Sequence, residues 1–166
     1  MLLEDSLRGV EVVRRFEGPI VDVGSGGGVP GIPLAASLPE REVTLLEATR
    51  KKVEFLERWT RELPNLRVMW GRAEEQETDR FGVAVAKALA PPGVAMEWCL
   101  PLVAPGGAAI LWAGASADPD ALASGAEQLG SEQPEWCNGL LVFRKVRPTP
   151  AGFPRRIGMA RKRPLA

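Results

Sequence analysis

The sequence predicts a doubly wound α/β sheet of about seven strands, closed at its carboxyl end by an antiparallel hairpin. Three observations carry this. Short β-like apolar runs alternate with stretches of helical periodicity as far as Leu129. A glycine-rich turn follows the first of those runs, in "PIVDVGSGGGVPGIPL", Pro19 to Leu34. Near the end, "EWCNGLLVFRKV" sets Asn138-Gly139 between two strand-like segments, and Asn-Gly is the strongest short hairpin signal.

Each element can be justified in order. Leu2 to Phe16 carries leucine, valine and phenylalanine at roughly helical spacing, a short leading helix. Pro19 to Val23 is a strand, and Pro30 to Leu38 opens the next helix. Val43 to Leu46 reads as a buried strand ending in Glu47. From Thr49 a charged helix is expected to present Val53, Phe55, Leu56, Trp59 and Leu63 on one face. Leu66 to Trp70 and Val83 to Ala86 are further strands, and Val94 to Val103 a helix. The turn "APGG", Ala104 to Gly107, leads into a strand over Ala108 to Trp112. Aspartate and proline then start a helix over Asp118 to Leu129. The antiparallel hairpin reverses the sheet's edge strand. No repeat, linker or second domain interrupts the pattern, so residues 1–166 read as one domain with a basic tail at 148–166.

Composition excludes several kinds of function. With 166 residues and 45% hydrophobic content the chain can bury a sizeable core. No apolar run reaches the length of a membrane span, and the acidic start "MLLEDSL" lacks a secretion pattern, so a cytoplasmic protein is expected. Cys99 and Cys137 read as reduced thiols. Histidine is absent, which removes imidazole triads and most zinc sites; no metal is expected. Net charge is zero but unevenly spread. From Arg144 onward there are eight basic residues and no acid, leaving 13 basic against 21 acidic elsewhere. A tail of opposite sign to the body suits a polyanionic partner.

In doubly wound sheets ligands sit beyond the carboxyl ends of the strands, where strand order reverses. The glycine stretch therefore marks the candidate site. "GGGVPG", Gly26 to Gly31, satisfies a dinucleotide pattern in which bare amides at a helix start receive a diphosphate. "DVGSGGG", Asp22 to Gly28, instead satisfies an acid-x-Gly-x-Gly-x-Gly loop of the kind that holds S-adenosylmethionine. A tight turn alone would also use these glycines.

Charge separates the two ligand readings. A diphosphate would be repelled by Asp22, and no Lys or Arg lies between Arg15 and Arg41 to offset it. S-adenosylmethionine carries a cationic sulfur and an ammonium, both of which favour an acidic cup. Glu47, 23 residues beyond Gly24, is in position to accept both ribose hydroxyls, and Ala73-Glu74 would meet an adenine edge. The Pro105 to Gly107 turn before the next strand is usual in methyltransferase sheets.

The acceptor is narrowed by what is missing. Methylation of an exocyclic amine needs a polar residue, two prolines and an aromatic after the fourth strand. Here Ala90-Pro91-Pro92-Gly93 keeps only the prolines. Pyrimidine carbon methylation needs a thiolate, and neither cysteine is placed for it. An acceptor that is already nucleophilic remains, such as the N7 of guanine. Its free lone pair needs no general base, only proximity and alignment.

The ordered set "LLEDSL", "VDVGSGGGVPGIPLA", "LLEATRKKVEFLE", "GRAEE", "AKALAP", "PGG" and "FPRRIGMARKRPL" resembles the bacterial 16S rRNA guanine-N7 methyltransferases, the glucose-inhibited division B family, from about Leu2 to Leu165. The resemblance implies the Rossmann-like class I methyltransferase fold. It further implies a monomeric cytoplasmic enzyme that moves a methyl group from S-adenosylmethionine to one guanine of 16S rRNA, in the free RNA or the small ribosomal subunit. Carried over by position, the cofactor contacts are Asp22, Gly24, Gly26, Gly28, Val29, the Glu47-Ala48-Thr49 corner, Ala73, Glu74 and Lys87. Lys87 is also the one catalytic candidate.

Three differences from the family stand out. Ser-Arg-Ala is replaced by Ala86-Lys87-Ala88, and lysine lacks a planar fork. Ala113 stands where the family has lysine. A leading helical region usually precedes Asp5-Ser6, and its shortening is expected to weaken cofactor binding.

In the tail, Arg155, Arg156, Arg161, Lys162 and Arg163 are candidates for tracking RNA phosphates. Trp59, Trp70, Trp98, Trp112 and Trp136 are expected in the core rather than as stacking platforms. Two alternatives stay open on sequence: a noncatalytic RNA-binding remnant of this family, and a dinucleotide-dependent oxidoreductase.

Overall fold

The computed structural model describes residues 2–166. Its elements are α1 (Leu2–Val13), β1 (Ile20–Val23), α2 (Gly31–Ser37), β2 (Val43–Glu47), α3 (Arg50–Leu56), β3 (Leu66–Trp70), β4 (Phe81–Lys87), α4 (Pro92–Cys99), β5 (Val103–Trp112), α5 (Pro119–Gln128), β6 (Glu135–Cys137), β7 (Leu140–Arg144) and α6 (Met159–Lys162). One sheet runs in the order β3-β2-β1-β4-β5-β7-β6. β1 to β5 are parallel; β7 is antiparallel to β5, and β6 to β7.

Side-chain alternation divides the core in two. Ile20, Leu45, Val83, Val85 and Ile110 point to the side covered by α1 and α2. Val21, Leu46, Ala84, Ala109 and Leu111 point to the side covered by α4 and α5. Strands this apolar on consecutive residues must be covered on both faces, and parallel pairing with helical crossovers satisfies that.

The hairpin forms at Asn138-Gly139, both with positive φ, as a two-residue primed turn requires. The expectation of a reversed edge strand needs correction. The reversed strand is β7, which takes an inner position, and the edge is β6. Composition explains this: Leu140 to Phe143 are all buried, whereas β6 is three residues long and mostly exposed, as suits an edge.

Three further expectations are corrected. The helix predicted over Val94 to Val103 ends at Cys99 and passes through a 3-10 turn, Leu100–Leu102. The predicted turn at Ala104 to Gly107 is an irregular stretch inside β5, because Gly106 N and Gly107 O both find partners on Lys145 across the sheet. The apolar stripe after Thr49 breaks where α3 tightens into a 3-10 turn at Glu57–Arg61. A three-residue period cannot continue a 3.6-residue stripe, so Trp59 is exposed. Phe55 is exposed because it lies within α3 about 200° around the helix from the buried Val53, off the face that Val53 and Leu56 turn inward. The tryptophans divide between core and surface, with Trp98 and Trp112 packed against the core. Trp59, Trp70 and Trp136 are exposed and Trp98 and Trp112 half-buried, Trp70 and Trp136 because they stand on the two edge strands.

A buried cation fastens the end of the sheet. Lys145 is 1% exposed, and its Nζ donates to the Leu100 and Val103 carbonyls, to Thr149 Oγ1 and to Asp79 Oδ1 at 2.7 to 3.2 Å. Burial pushes its pKa down, and the Asp79 charge opposes that shift.

Candidate functional site

A cleft of about 260 Å³ opens at the carboxyl ends of β1, β2 and β4. This is where the sheet changes direction of growth, between β1 and β4. Val23 and Gly24 form its floor with Leu46, Glu47 and Ala48, and Arg72, Ala73 and Glu74 form one wall after β3. Of the residues singled out from sequence, Gly24, Glu47, Ala48, Ala73 and Glu74 thus come together. Gly26, Gly28, Val29 and Thr49 stand outside the lining.

Most amides of the glycine loop already have partners, in the loop itself and on β1 and β2. Gly24 N and Ser25 N donate to the Leu46 carbonyl, Gly28 N to Ser25 O, and Ile32 N to Gly28 O. Gly26 N donates to Glu47 Oε2 and Gly31 N to Asp22 Oδ2, each at 2.8 Å. The first amide of α2, the group that would greet a phosphate, is therefore capped by a carboxylate. Gly24 has φ +69°, and a Cβ there would fall 2.2 Å from Leu89 Cδ1, also a cleft residue. A side chain at this position would strain the turn and push Leu89 into the cleft.

The two acids have separate tasks. Glu47, 6% exposed, is oriented by Gly26 N and by Thr49 N, which donates to Oε1 at 2.8 Å. Burial raises its pKa, but these amides and the Lys52 charge outweigh it and hold the carboxyl below its usual range. It stays ionised, with lone pairs left for hydroxyl donors. Asp22 corrects the expectation of an acidic cup. It is 1% exposed, lies behind the loop, and burial pushes its pKa up to about 7 against the Gly31 hydrogen bond, with Glu47 adding repulsion. The acids that line the cleft are Glu47 and Glu74, accompanied at its edges by Lys52, Arg72 and Arg161.

After β4 the backbone turns sharply. Ala88, with φ +51°, and Leu89 both line the cleft; a left-handed non-glycine residue is the sort of strain that gathers at working sites. Lys87 does not join them. Its alternation along β4 sends it to the α1 side, where its Nζ pairs with the Asp5 carboxylate. That pairing, with Arg8 as second partner, holds the Asp5 pKa below the usual value despite partial burial. Trp112 Nε1 donates to the Asp5 carbonyl at 2.8 Å and completes the attachment of α1. Cys99 is fully buried, and burial pushes its thiol far above the usual range, so it supplies no thiolate.

The tail is folded onto α4 rather than trailing in solvent. Arg155 forms a bidentate pair with Glu97, a 3%-exposed residue of α4, at 2.5 and 2.6 Å, and also donates to the Arg163 carbonyl. Arg161 lies over the Trp98 ring, 5.0 Å from its centroid, and both residues line the cleft. Arg156, Lys162 and Arg163 are exposed cations of this segment that lie outside the cleft lining, and Arg161, on the lining, is exposed at its outer side. The sequence reading gave Arg161 to RNA phosphates and Trp98 to the core, and their meeting at the cleft escaped it, because a tryptophan and an arginine 63 residues apart carry no local signal of contact.

The profile of rRNA small subunit methyltransferase G matches residues 1–134. A protein of that name from Synechococcus elongatus is 36% identical over 184 residues, covering 98% of this chain and 76% of the relative. Another from Alkaliphilus metalliredigens is 38% identical over 168 residues, covering 90% and 70%. Among solved structures, the aminoglycoside resistance methyltransferase NpmB1 aligns with TM-score 0.64 at 15% identity, over 82% of this chain and 91% of that one. The antibiotic-resistance methyltransferase Kmr aligns with TM-score 0.63 at 16% identity, over 84% and 93%; these likenesses concern the fold. With most of its length matched by the profile and by relatives above 30% identity, the chain belongs to the rRNA small subunit methyltransferase G family.

Proposed function

We propose that this chain transfers a methyl group from S-adenosylmethionine to the N7 of a guanine in 16S rRNA. The observation that carries the choice of donor is a glycine loop whose amides are mostly bonded already, together with the oriented Glu47. With the amides of Gly24, Ser25, Gly26, Gly28, Gly31 and Ile32 already taken, little is left to bind a diphosphate, and the oriented, ionised Glu47 suits a ribose diol. The dinucleotide alternative loses its physical basis here.

When bound, the donor supplies a methyl group on cationic sulfur, which a nitrogen with a free lone pair takes as the carbon–sulfur bond breaks, with no proton transfer. The chain's part is to hold and align. Glu47 takes the ribose hydroxyls, Ala73 and Glu74 the adenine edge, and Gly24 gives backbone access beneath the sulfur. Gly26 and Thr49 act by fixing Glu47, and Gly28, Val29 and Asp22 by shaping the loop. Ala88 and Leu89 stand where the target base enters. Lys87, tied to Asp5, anchors α1 beside that entrance. The exposed cations Arg156, Lys162 and Arg163 take RNA phosphates. Among the described residues no helix is long and apolar enough to cross a membrane, and the reading includes a cytoplasmic monomer, which sedimentation would check.

The test is methyl transfer from labelled donor to undermethylated small subunits and to their naked 16S rRNA, with the product located by strand cleavage at N7-methylated guanine. Heat on mixing with S-adenosylhomocysteine and none with NAD is expected. The reverse pattern would overturn the proposal.

A further inference from the structure

We propose that Arg161, stacked on Trp98, belongs to the wall of the donor cleft and packs against the donor's adenine, and that the Arg155–Glu97 pair positions it there. The inference rests on the functional reading above, which puts the adenine edge at Ala73 and Glu74.

The geometry comes from three contacts of the tail. Gly158 N lies 3.4 Å from Glu74 Oε1, so the tail reaches the cleft wall just before α6 begins. Ala160 is buried, which fixes the face that α6 turns inward. Arg161 follows, its guanidinium 5.0 Å from the Trp98 ring centroid, with both groups in the cleft lining next to Ala73. A planar cation on an indole is a flat surface of the size of a purine, and stacking on such a surface needs no hydrogen-bond donors from the glycine loop. The Trp98 Nε1 is buried without a hydrogen-bond partner, so packing and the Arg161 stack alone hold the ring.

The clamp supplies the position. Arg155 Nε and a terminal nitrogen grip both oxygens of the nearly buried Glu97, and Arg155 also holds the Arg163 carbonyl just past Arg161. One residue thus fastens both sides of α6. Arg161 itself is exposed at its outer side, so its substitution leaves the fold intact.

The test is calorimetry of S-adenosylhomocysteine binding to the full chain and to Arg161→Ala, Arg161→Lys and Glu97→Gln, with the thermal midpoint of each recorded. Arg161→Ala is expected to weaken binding about fivefold at an unchanged midpoint. Arg161→Lys should recover part of the loss, since an ammonium keeps some of the stacking attraction. Glu97→Gln should weaken binding in the same direction, with a KM effect for the donor larger than its effect on kcat. The fluorescence change of Trp98 on ligand binding, isolated in a Trp98→Phe difference, should shrink in Arg161→Ala. Wild-type affinity in Arg161→Ala, with the wild-type chain itself binding, overturns this inference alone. Failure of the wild-type chain to bind is instead the failure of the functional reading.

Discussion

The glycine loop and the carboxyl-terminal tail meet at one cleft, and they are built on opposite principles. The loop contributes backbone, has almost no side chains, and keeps its shape through bonds among its own amides, Glu47 and Asp22. The tail contributes long cationic side chains and keeps its place through contacts with several distant elements: the Arg155–Glu97 ion pair to α4, the Thr149 hydrogen bonds to Asp79, the Gly158–Glu74 hydrogen bond, the Arg161 stack on Trp98 and a few packed apolar groups. The loop's precision is therefore local and intolerant of added atoms, whereas the tail's depends on distant partners and degrades gradually.

The sharpest way to break the contrast is Gly31→Ala. A Cβ there would lie 2.2 Å from Leu45 Cδ2 and 2.7 Å from Asp22 Oδ2, both buried. Stability is expected to fall by about 3 kcal/mol in denaturant titration; a loss below about 1 kcal/mol would show that the loop yields more easily than its bonding implies. Glu97→Gln attacks the tail instead. Because Arg155 keeps partial solvent access, the loss should be nearer 2 kcal/mol than the full cost of breaking a buried pair, and protease should cut between residues 146 and 158 sooner. Gly24→Ala leaves the tail untouched but strains the turn and displaces Leu89, so donor affinity should drop about tenfold by calorimetry.

Protonation sharpens the loop side. The Asp22 carboxyl is raised in the fold from its ordinary value near 3.8 to about 7. The folded state then binds more protons than the unfolded one between those values, and stability falls as pH rises from about 4 to about 7 and levels off above. The slope is at most about 1.4 kcal/mol per pH unit, and Asp22→Asn should flatten it in thermal melts taken across that window. An equally steep Asn variant would assign the slope elsewhere. The smallest effect concerns the outward cations. Lys162→Ala combined with Arg163→Ala should lower the salt dependence of rRNA binding by roughly 0.7 per lost contact, with donor affinity unaltered.

How far the sequence revealed each region follows from the same contrast. The loop was legible because close backbone approach at Gly24 and Gly31 admits only glycine, and a strand ending in Glu47 at that distance has few other uses. The parallel strands were legible because residues such as Val83 to Val85 are apolar on both faces. Lys87 was misplaced since its side follows from strict alternation along β4, which fixes an exact register that the apolar pattern alone left open. Trp59 was misassigned because the change from α to 3-10 winding leaves no mark in composition, and Phe55 because two residues beyond Val53 a helix has already turned to its other side. Arg155 was grouped with the phosphate-tracking cations of the tail since charge alone does not tell an arginine facing Glu97 from one facing solvent.

A loop whose amides at Gly24, Ser25, Gly26, Gly28, Gly31 and Ile32 already have partners recognises by shape and exclusion, with the oriented Glu47 carboxylate as the acceptor beside it. A phosphate added to the methyl donor should gain nothing from the glycine loop and would have to turn to Lys52, Arg72 or Arg161 on the cleft lining, and bulk near Gly24 should be rejected outright.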